Sequence, residues 1–539
     1  MTNRRKEKTT VSGILLSAAA SLLAGAMLWS CHSPATNPNK NITKDQFNGF
    51  INDSYTFDLD KIRSGIMTLV ENDDDSTQTD IKTRKLYRKG TEPIWVNRYG
   101  IDSRADTLLK HLKDVGRWGF SEKAFYTQEL ENDIRRLRTL DFDNREHTIN
   151  NVAARLEYRL TKAYLRYCTG QRFGYTDPFK SLNNLDLVNP DDTTSRRKNY
   201  RQLFDIPIER PDNRFYQAAV SVARGDSLAM FLNSVQPKDT ELEELRLRLS
   251  NTSSGRQRWL LLCNMERRRW RRQFTTDTGN GKKVVVNIPS FMLLAYSHDS
   301  LMTMKVGCGS TKTKTPLLTS QLSRMDFNPL WNIPMSIIKN DVAKHAGNAA
   351  YFDRHRYFIV ERSTGKRIDP RHVTANMLKS GHYRVSQEGG EGNSLGRIIF
   401  RFDNKFSVYL HDTSSRHFFN QTTRSVSHGC IRVERPFDFA KYLLNDTTDQ
   451  WDLDKMRITM GLDPATEKGQ KYVSDTTKTR KLVHSRTIEP KVPLYIIYQT
   501  LYKMPDGRWE QFGDIYGYDA IMKKQLMPFV ERTPTHRNQ

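Results

Sequence analysis

Two short segments in the carboxyl-terminal half carry the residues best suited to covalent chemistry. They are YLHDT at 409–413 and SVSHGCIR at 425–432. Cys430 is a candidate nucleophile, but at an ordinary pKa of about 8.5 only about 3% of a thiol is ionised at pH 7. His411 and His428 are the candidate imidazolium groups that would lower this pKa. Gly429 would leave room for a substrate backbone beside the sulfur.

A zinc site is the metal alternative for the same residues. His428 and Cys430, with His411 or His417, offer three ligands. Zinc sites need ligands at defined spacing, and no C-x-x-C pair or partner motif accompanies these residues. We therefore predict no metal site. The ordinary structural alternative is that Cys430 is a buried, inert thiol, and the two nearby histidines argue against it.

Three other cysteines, at positions 168, 263 and 308, are weaker candidates for a nucleophile. Cys168 and Cys263 fall on apolar faces of predicted helices, which is the common setting of an inert buried thiol. Cys308 ends a predicted strand between two glycines, without a histidine nearby in the sequence. We predict that none of the three is catalytic.

The histidine-to-cysteine spacing resembles the signature of the L,D-transpeptidases of bacterial cell walls. That signature is a histidine, a spacer of fourteen to seventeen residues, then Ser/Thr-His-Gly-Cys, an apolar residue, and Asn or Arg. Here His411 and the fifteen residues 412–426 precede SHGCIR at 427–432. The resemblance extends to the large periplasmic class through KTPL at 314–317, NPLWNIP at 328–334, NSLGR at 393–397, PIWV at 93–96 and NSVQP at 233–237.

The resemblance implies a role for each signature residue. Cys430 would attack the carbonyl at the L-centre of the diamino acid in the third stem position and expel the terminal D-alanine. His411 would accept the thiol proton, with its spare nitrogen oriented by a backbone carbonyl near Asp412. The Cys430 N–H, with Gly429 and the Tyr409 hydroxyl, would stabilise the oxyanion.

The remaining implied site residues would shape the binding groove. Ser427 belongs to the signature, Arg432 suits a carboxylate or supports the loop, and Trp331 would line the inner wall beneath a capping lid at 341–393. The family needs no metal or organic cofactor. Its partners would be the donor tetrapeptide stem and the acceptor diamino acid, and carbapenem-type β-lactams would be inhibitors.

The resemblance thus favours an enzyme that forms 3-3 cross-links between peptidoglycan stem peptides. Two alternatives stay open, namely an L,D-carboxypeptidase or endopeptidase that passes the acyl group to water, and a non-catalytic wall-binding lipoprotein. The chain has 85 Lys and Arg against 61 Asp and Glu, a formal net charge of +24. This charge would also suit nucleic acid, but no zinc-finger spacing or aromatic RNA-binding motif supports such a partner.

The amino-terminal segment has the order of a secretory signal. Basic residues at 4–8 precede an apolar run at 11–30 and then Cys31. We predict that residues 1–30 are a lipoprotein-type signal peptide and that Cys31 is lipidated, with an uncleaved membrane-spanning helix as the alternative. Both place the protein in the cell envelope, anchored to a membrane on its periplasmic side, where nucleic acid is a less common partner.

Apolar spacing along the rest of the chain predicts an α+β protein. Helical periodicity dominates first, and short β-like runs follow a Thr-, Asn- and Gly-rich linker. A long polar insertion within a β domain is more often a functional lid than a plain loop. The predicted segments are a tether at 31–48, a helical scaffold domain at 49–274, a linker at 275–283, a catalytic domain at 284–525 with its lid at 341–393, and a tail at 526–539.

The last predicted helix of the scaffold, at 256–274, is rich in arginine. We predict that the arginines at 267–272 form a solvated face, with docking to an anionic wall polymer or lipid as the alternative. The large class commonly inserts a peptidoglycan-binding helical module in this half. Too few residues separate 242–249 from 259–270 to hold it, so wall binding would fall to the groove, the lid or this helix.

Overall fold

A computed structural model describes residues 57–188, 198–271, 281–298, 300–444, 448–477 and 479–531. The predicted signal peptide, the tether with Cys31, and residues 275–280 of the predicted linker lie outside these ranges. Helices dominate up to residue 271 and strands dominate from 281, which confirms the predicted α+β class. Within the described ranges, none of the helices combines the length and hydrophobicity that crossing a membrane requires.

The elements follow one another in this order. Up to residue 271 they are α1 (Leu59–Glu71), α2 (Gln78–Arg88), β1 (Val96–Asn97), β2 (Gly100–Ile101), α3 (Ser103–Lys113), α4 (Thr127–Thr139), α5 (Ile149–Phe173), α6 (Pro178–Leu182), β3 (Phe204–Asp205), α7 (Asn213–Ala223), α8 (Leu228–Ser234), α9 (Thr240–Ser250) and α10 (Gly255–Arg269). From residue 281 they are β4 (Lys283–Asn287), β5 (Met292–Ser297), β6 (Ser300–Gly309), β7 (Leu317–Phe327), β8 (Trp331–Asn332), α11 (Met335–Asn340), α12 (Ala349–Arg354), β9 (Tyr357–Glu361), β10 (Arg367–Ile368), α13 (Ala375–Lys379), β11 (Tyr383–Gln387), β12 (Ile398–Phe402), β13 (Leu410–His411), β14 (Ser425–Ser427), β15 (Ile431–Val433), α14 (Pro436–Leu443), α15 (Gln450–Thr459), α16 (Glu467–Ser474), β16 (Ser485–Ile497), β17 (Leu501–Lys503), β18 (Trp509–Gln511) and α17 (Tyr518–Val530).

The helical unit, comprising the described residues of 57–176, 210–271 and 523–531, is organised around α5. This helix is buried on nearly every side, and α1, α2 and α4 pack against it. Its N-terminal cap is Thr148, whose hydroxyl accepts from the Asn151 N–H at 3.2 Å. A helix that is buried on nearly every side lies at the centre of its bundle, and its charged side chains must find partners there.

A buried carboxylate on α5 anchors the PIWV segment. Glu157 accepts hydrogen bonds from the backbone N–H groups of Ile94 at 2.7 Å, Trp95 at 2.8 Å and Val96 at 3.1 Å, and from the Tyr87 hydroxyl at 2.7 Å. Burial raises the pKa of Glu157, and these donors oppose that shift. The segment is therefore fixed by polar contacts as well as by its apolar side chains.

The predicted solvated arginine face of α10 is wrong at two of its positions. Arg267 and Arg269 are each 2% exposed. The Arg269 guanidinium lies 5.3 Å from the ring of Trp118, 5.2 Å from Phe120 and 5.9 Å from Tyr175. Aromatic faces attract a guanidinium, which explains how this cation lies in the interior.

The predicted tail is also wrong in its first residues, because α17 continues to Val530. Residues 523–531 of α17 belong to the helical unit, where Phe529 is 4% exposed and its ring centroid lies 4.9 Å from that of Tyr175. The Ser121 N–H donates to the Phe529 carbonyl at 2.8 Å. The carboxyl end of α17 is thus part of a core.

The β-rich unit, comprising the described residues of 177–209 and 281–522, is built on one large mixed sheet. Its strand order is β12-β13-β15-β6-β5-β4-β16-β7-β3, with β14 paired to β6. A further pairing of β12 with β7 closes the path into a ring. In β4 the residues after Lys283 are all buried, as expected of a strand covered on both faces.

Residues 177–209 belong with this sheet, although the sequence assigned them to the helical domain. Phe204 and Asp205 of β3 pair in parallel with Leu317 and Leu318 of β7. Asn183 secures the segment, because its side-chain oxygen accepts from the N–H groups of Leu203 and Phe204 at 2.7 and 2.8 Å. The predicted boundary failed here because a two-residue strand leaves no periodicity to detect.

The lid insertion is a small subdomain with its own sheet, in the order β10-β9-β11-β8. Its buried core includes Ile333 and Ile338 as well as Phe352, so it begins before the predicted start at 341. Trp331 of β8 pairs with Gln387 of β11. The segments that enter and leave the subdomain are therefore paired with each other, and we call this pair of connections its neck.

We expect Glu157→Ala to destabilise the helical unit by at least about 3 kcal/mol, because it leaves several buried donors without an acceptor. Chemical denaturation followed by circular dichroism measures the change. Glu129→Ala, at an exposed site on α4, is the matched control and should shift the midpoint little. Equal effects of the two substitutions would contradict the anchoring role.

Candidate active site

The two chemistry-bearing segments lie on adjacent parallel strands. Leu410 of β13 pairs with Ile431 of β15, and His411 pairs with Arg432. The Ile431 N–H donates to the Tyr409 carbonyl at 3.0 Å. Side chains alternate along a strand, so Leu410 and Ile431 enter the core while Tyr409 and His411 share the opposite face with residues 430 and 432.

Cys430 is partly exposed, and its thiol contacts Tyr409. Burial raises the pKa of the thiol to about 11, although hydrogen bonds from the Tyr409 backbone and hydroxyl and the nearby Arg432 cation oppose the shift. The thiol is therefore protonated at neutral pH. Attack by Cys430 requires a base to remove this proton.

His411 is 3% exposed, and its ring centroid lies 5.7 Å from that of Tyr409. Burial lowers the pKa of His411 to about 4 and the Arg432 cation lowers it further, while the backbone carbonyls of Asp412 and Leu395 favour protonation. The ring is neutral at pH 7. The sequence-based expectation of an imidazolium that ionises the thiol is therefore replaced by a neutral pair.

The predicted orientation of the His411 ring by a backbone carbonyl near Asp412 agrees with its interactions with the Asp412 and Leu395 backbone, although Nδ1 makes no hydrogen bond of normal geometry among the described residues. The Asp412 side chain holds the neighbouring turn at 395–397 rather than the His411 ring. Its carboxylate accepts from the Arg397 N–H at 2.9 Å and pairs with Arg416 at 3.3 Å. A Cβ at Gly396 would meet this carboxylate at 2.4 Å, so Asp412 fixes the turn that carries Leu395.

The loop that presents the nucleophile is tied by Ser427. The Ser427 hydroxyl accepts from the Gly429 N–H at 3.0 Å and donates to the Cys430 carbonyl at 2.5 Å. Gly429 has φ +118°, which L side chains rarely adopt. Because the Gly429 N–H is already bonded, the donors left for an oxyanion are the Cys430 N–H and the Tyr409 hydroxyl.

Thr315 and Tyr516 support this loop, and the sequence did not identify their role. The Thr315 hydroxyl donates to the Gly429 carbonyl at 2.9 Å and accepts from the Gly309 N–H at 2.8 Å. The Tyr516 hydroxyl donates to the Gly309 carbonyl at 2.7 Å and accepts from the Thr315 N–H at 3.1 Å. Thr315 lies in the KTPL segment, whereas nothing in the sequence around Tyr516 signals the contact.

The other predicted site residues lie in different settings. His428 is exposed, and Trp331 packs against the hydrophobic core of the lid subdomain. Arg432 lies 5.6 Å from the ring of Phe418, and its buried Nε has no hydrogen-bond partner among the described residues. Burial lowers the pKa of Arg432, and its cation acts on both Cys430 and His411.

The other described cysteines are unsuited to nucleophilic attack. Cys168, Cys263 and Cys308 are buried. Burial raises the pKa of Cys308 to about 12 and raises that of Cys168 well above its usual range. Full burial keeps a substrate away from these thiols, whereas Cys430 is partly exposed.

The carboxylates that could hold a cation lie in the helical unit. Asp73, Asp74 and Asp75 offer ligand atoms within 4.8 Å of one another. Lys162 donates to both Asp73 and Asp75 at 2.7 Å, and Arg166 donates to Asp75 at 2.6 Å. These cations thus already pair with two of the three carboxylates.

A cavity of about 580 Å³ opens beside Tyr409. Strands β7, β12 and β16 and the turn before Tyr409 form its walls. Its lining residues are Ser323, Arg324, Arg401, Phe402, Asp403, Asn404, Ser407, Val408, Tyr409, Thr487 and Lys491.

Two family models match the chain. Residues 281–458 match YkuD, the L,D-transpeptidase catalytic domain, and residues 82–249 match a scaffold domain. A Haemophilus influenzae protein named "Putative L,D-transpeptidase" is 28% identical over 318 residues, which are 58% of this chain and 59% of that protein. The match thus spans about three fifths of that relative's length.

Two solved structures are similar in part. The Mycobacterium tuberculosis L,D-transpeptidase 1 has 12% identity and a TM-score of 0.18, covering 41% of this chain and 63% of that one. The L,D-transpeptidase from Mycobacterium smegmatis has 14% identity and a TM-score of 0.17, covering 30% and 53%. At such TM-scores neither structure supports an argument about this chain.

The family assignment therefore rests on the two matched domains and their order. A helical scaffold domain precedes a β-rich catalytic domain, as the sequence predicted. The chain belongs to the L,D-transpeptidase family.

Proposed function

We propose that the chain is a cysteine L,D-transpeptidase that forms 3-3 cross-links between peptidoglycan stem peptides. The observation that carries this proposal is the shared face of β13 and β15, which holds a protonated thiol at Cys430 beside a neutral imidazole at His411. A neutral imidazole can accept a proton and a protonated thiol needs one removed. The pair is therefore suited to general-base attack.

In the first half-reaction, Cys430 attacks the carbonyl at the L-centre of the diamino acid while His411 accepts the thiol proton. The tetrahedral oxyanion receives hydrogen bonds from the Cys430 N–H and the Tyr409 hydroxyl, and each such donor typically contributes about 2.7–4 kcal/mol. His411 then protonates the leaving amine of D-alanine. A thioester remains on Cys430.

In the second half-reaction, the side-chain amine of another stem's diamino acid attacks the thioester. His411 accepts the amine proton and returns it to the departing sulfur, which restores the neutral pair. Between catalytic cycles, burial and the Arg432 cation keep the imidazole unprotonated, because both disfavour an imidazolium. No cofactor enters these steps.

The same proposal covers location and the lid. The basic head, apolar run and Cys31 favour a lipid-anchored protein on the periplasmic side of a membrane. The lid subdomain would cover the groove and keep water from the thioester, which favours an amine acceptor over hydrolysis. Its hydrophobic core supports a rigid cover rather than a loose loop.

The nucleophile can be tested by covalent capture. We expect intact-protein mass spectrometry to show one adduct after treatment with a carbapenem-type β-lactam, and none in Cys430→Ala. Cys308→Ala is the matched control and should keep the adduct, because the Cys308 thiol is buried and out of reach of the drug. An adduct that persists on Cys430→Ala would contradict the assignment.

The base can be tested through the pH dependence of acylation. Since the pKa of His411 is lowered to about 4, the rate should fall only as the pH drops through about 4. Arg432→Gln should move this acidic limb to higher pH, because the cation it removes lowers the pKa. His411→Ala should slow acylation by at least about 10²-fold, whereas the exposed His417→Ala should not. A limb near the ordinary histidine pKa of about 6.5 would contradict the neutral pair.

The lid can be tested by excising it at its neck. Because Trp331 pairs with Gln387, residues 331–387 can be removed by joining Leu330 to Glu388. We expect fewer cross-linked dimers and more hydrolysed tripeptide from purified muropeptides, since water reaches the thioester. The melting temperature serves as the folding control, and an unchanged product ratio in a folded variant would contradict the water-excluding role.

A further inference from the structure

The cavity beside Tyr409 is lined by cationic and hydroxyl side chains. Arg324, Arg401 and Lys491 contribute three positive charges, and Asp403 contributes one negative charge. The volume of about 580 Å³ falls within the usual range of sites for small ligands. The composition favours an anionic ligand.

Two of these cations are held in place by one carboxylate. Asp326 pairs with Arg324 at 2.8 Å and also accepts from Arg401 Nε. Lys491 is exposed, and within the described ranges it has no ion-pair partner. Asp326 offsets part of the charge of the two guanidinium groups, and Lys491 adds a third cation, so three cations face two carboxylates and the cavity keeps a net positive charge. A guanidinium group paired in this way can still bind a ligand carboxylate.

The wall of the cavity leads directly to the nucleophile. The Asn404 side chain closes the preceding turn, since it accepts from the Phe406 N–H at 3.0 Å and donates to the Val408 carbonyl at 2.8 Å. Tyr409 follows this turn, lines the cavity, and lies close enough to the Cys430 thiol for its hydroxyl to lower the pKa of that thiol. A ligand in the cavity thus lies one side chain away from the reacting sulfur.

From this placement we propose that the cavity binds a free carboxylate of the donor stem peptide, close to the scissile bond, and so determines substrate affinity. This inference rests on the proposed function and names a subsite for its donor. The hydroxyl groups of Ser323, Ser407 and Thr487 supply further donors around the anion. Amidation of that carboxylate removes the charge that the cavity recognises.

The test measures binding without turnover. Calorimetry on Cys430→Ala compares a donor tetrapeptide with free carboxylates against tetrapeptides amidated at one carboxylate at a time. We expect one amidation to weaken binding about fivefold, and Lys491→Gln in the same background to weaken the free form about fivefold while leaving that amidated form unchanged. Lys441→Gln, an exposed lysine on α14, is the matched control.

The outcomes are distinct. Equal weakening of both forms by Lys491→Gln, no effect of any amidation, or no binding of either form would overturn the inference. The proposed function is judged separately, by whether the wild-type protein turns over the tetrapeptide through Cys430. In a second comparison, steady-state kinetics of the wild type and Lys491→Gln should show a higher KM for the variant, with kcat within about twofold of the wild type.

Discussion

The parallel register of β13 against β15 is the constraint on which the site depends. Leu410 and Ile431 fix it by entering the core together. A slip of one residue would turn His411 into the core and Cys430 away from Tyr409, because strand side chains alternate with a period of two. The buried apolar residues Leu410 and Ile431 therefore fix the positions of the reactive side chains next to them.

Around this pair, hydrogen bonds between side chains and backbone groups fix the loops. Thr315 and Ser427 hold the segment before the nucleophile, and Asp412 holds the turn that carries Leu395 near the base. The same arrangement buries His411 and partly buries Cys430. Burial disfavours charge on both, so the structure that positions the two residues also sets their neutral state.

The sequence was sufficient for the fold class, because long helical periodicity and strand alternation are local signals. It also singled out Cys430 and His411, through their residue types and the resemblance of the surrounding segments to a family signature. It could not reveal Tyr516 or Asn183, whose contacts join residues far apart in the chain. It misjudged Arg269, since a run of arginines is usually solvated, whereas here buried Glu266 and the surrounding aromatic rings favour the cation in the interior.

The protonated state of the nucleophile bears on oxidation. Because burial raises the pKa of the Cys430 thiol to about 11, very little of it is thiolate at neutral pH. Peroxide and disulfides react with thiolates, so a resting sulfur of this kind is converted slowly to sulfenic acid or a mixed disulfide. An exposed low-pKa cysteine would be oxidised quickly in an oxidising compartment, whereas in the proposed mechanism Cys430 gives its proton to His411 only as it attacks a substrate carbonyl.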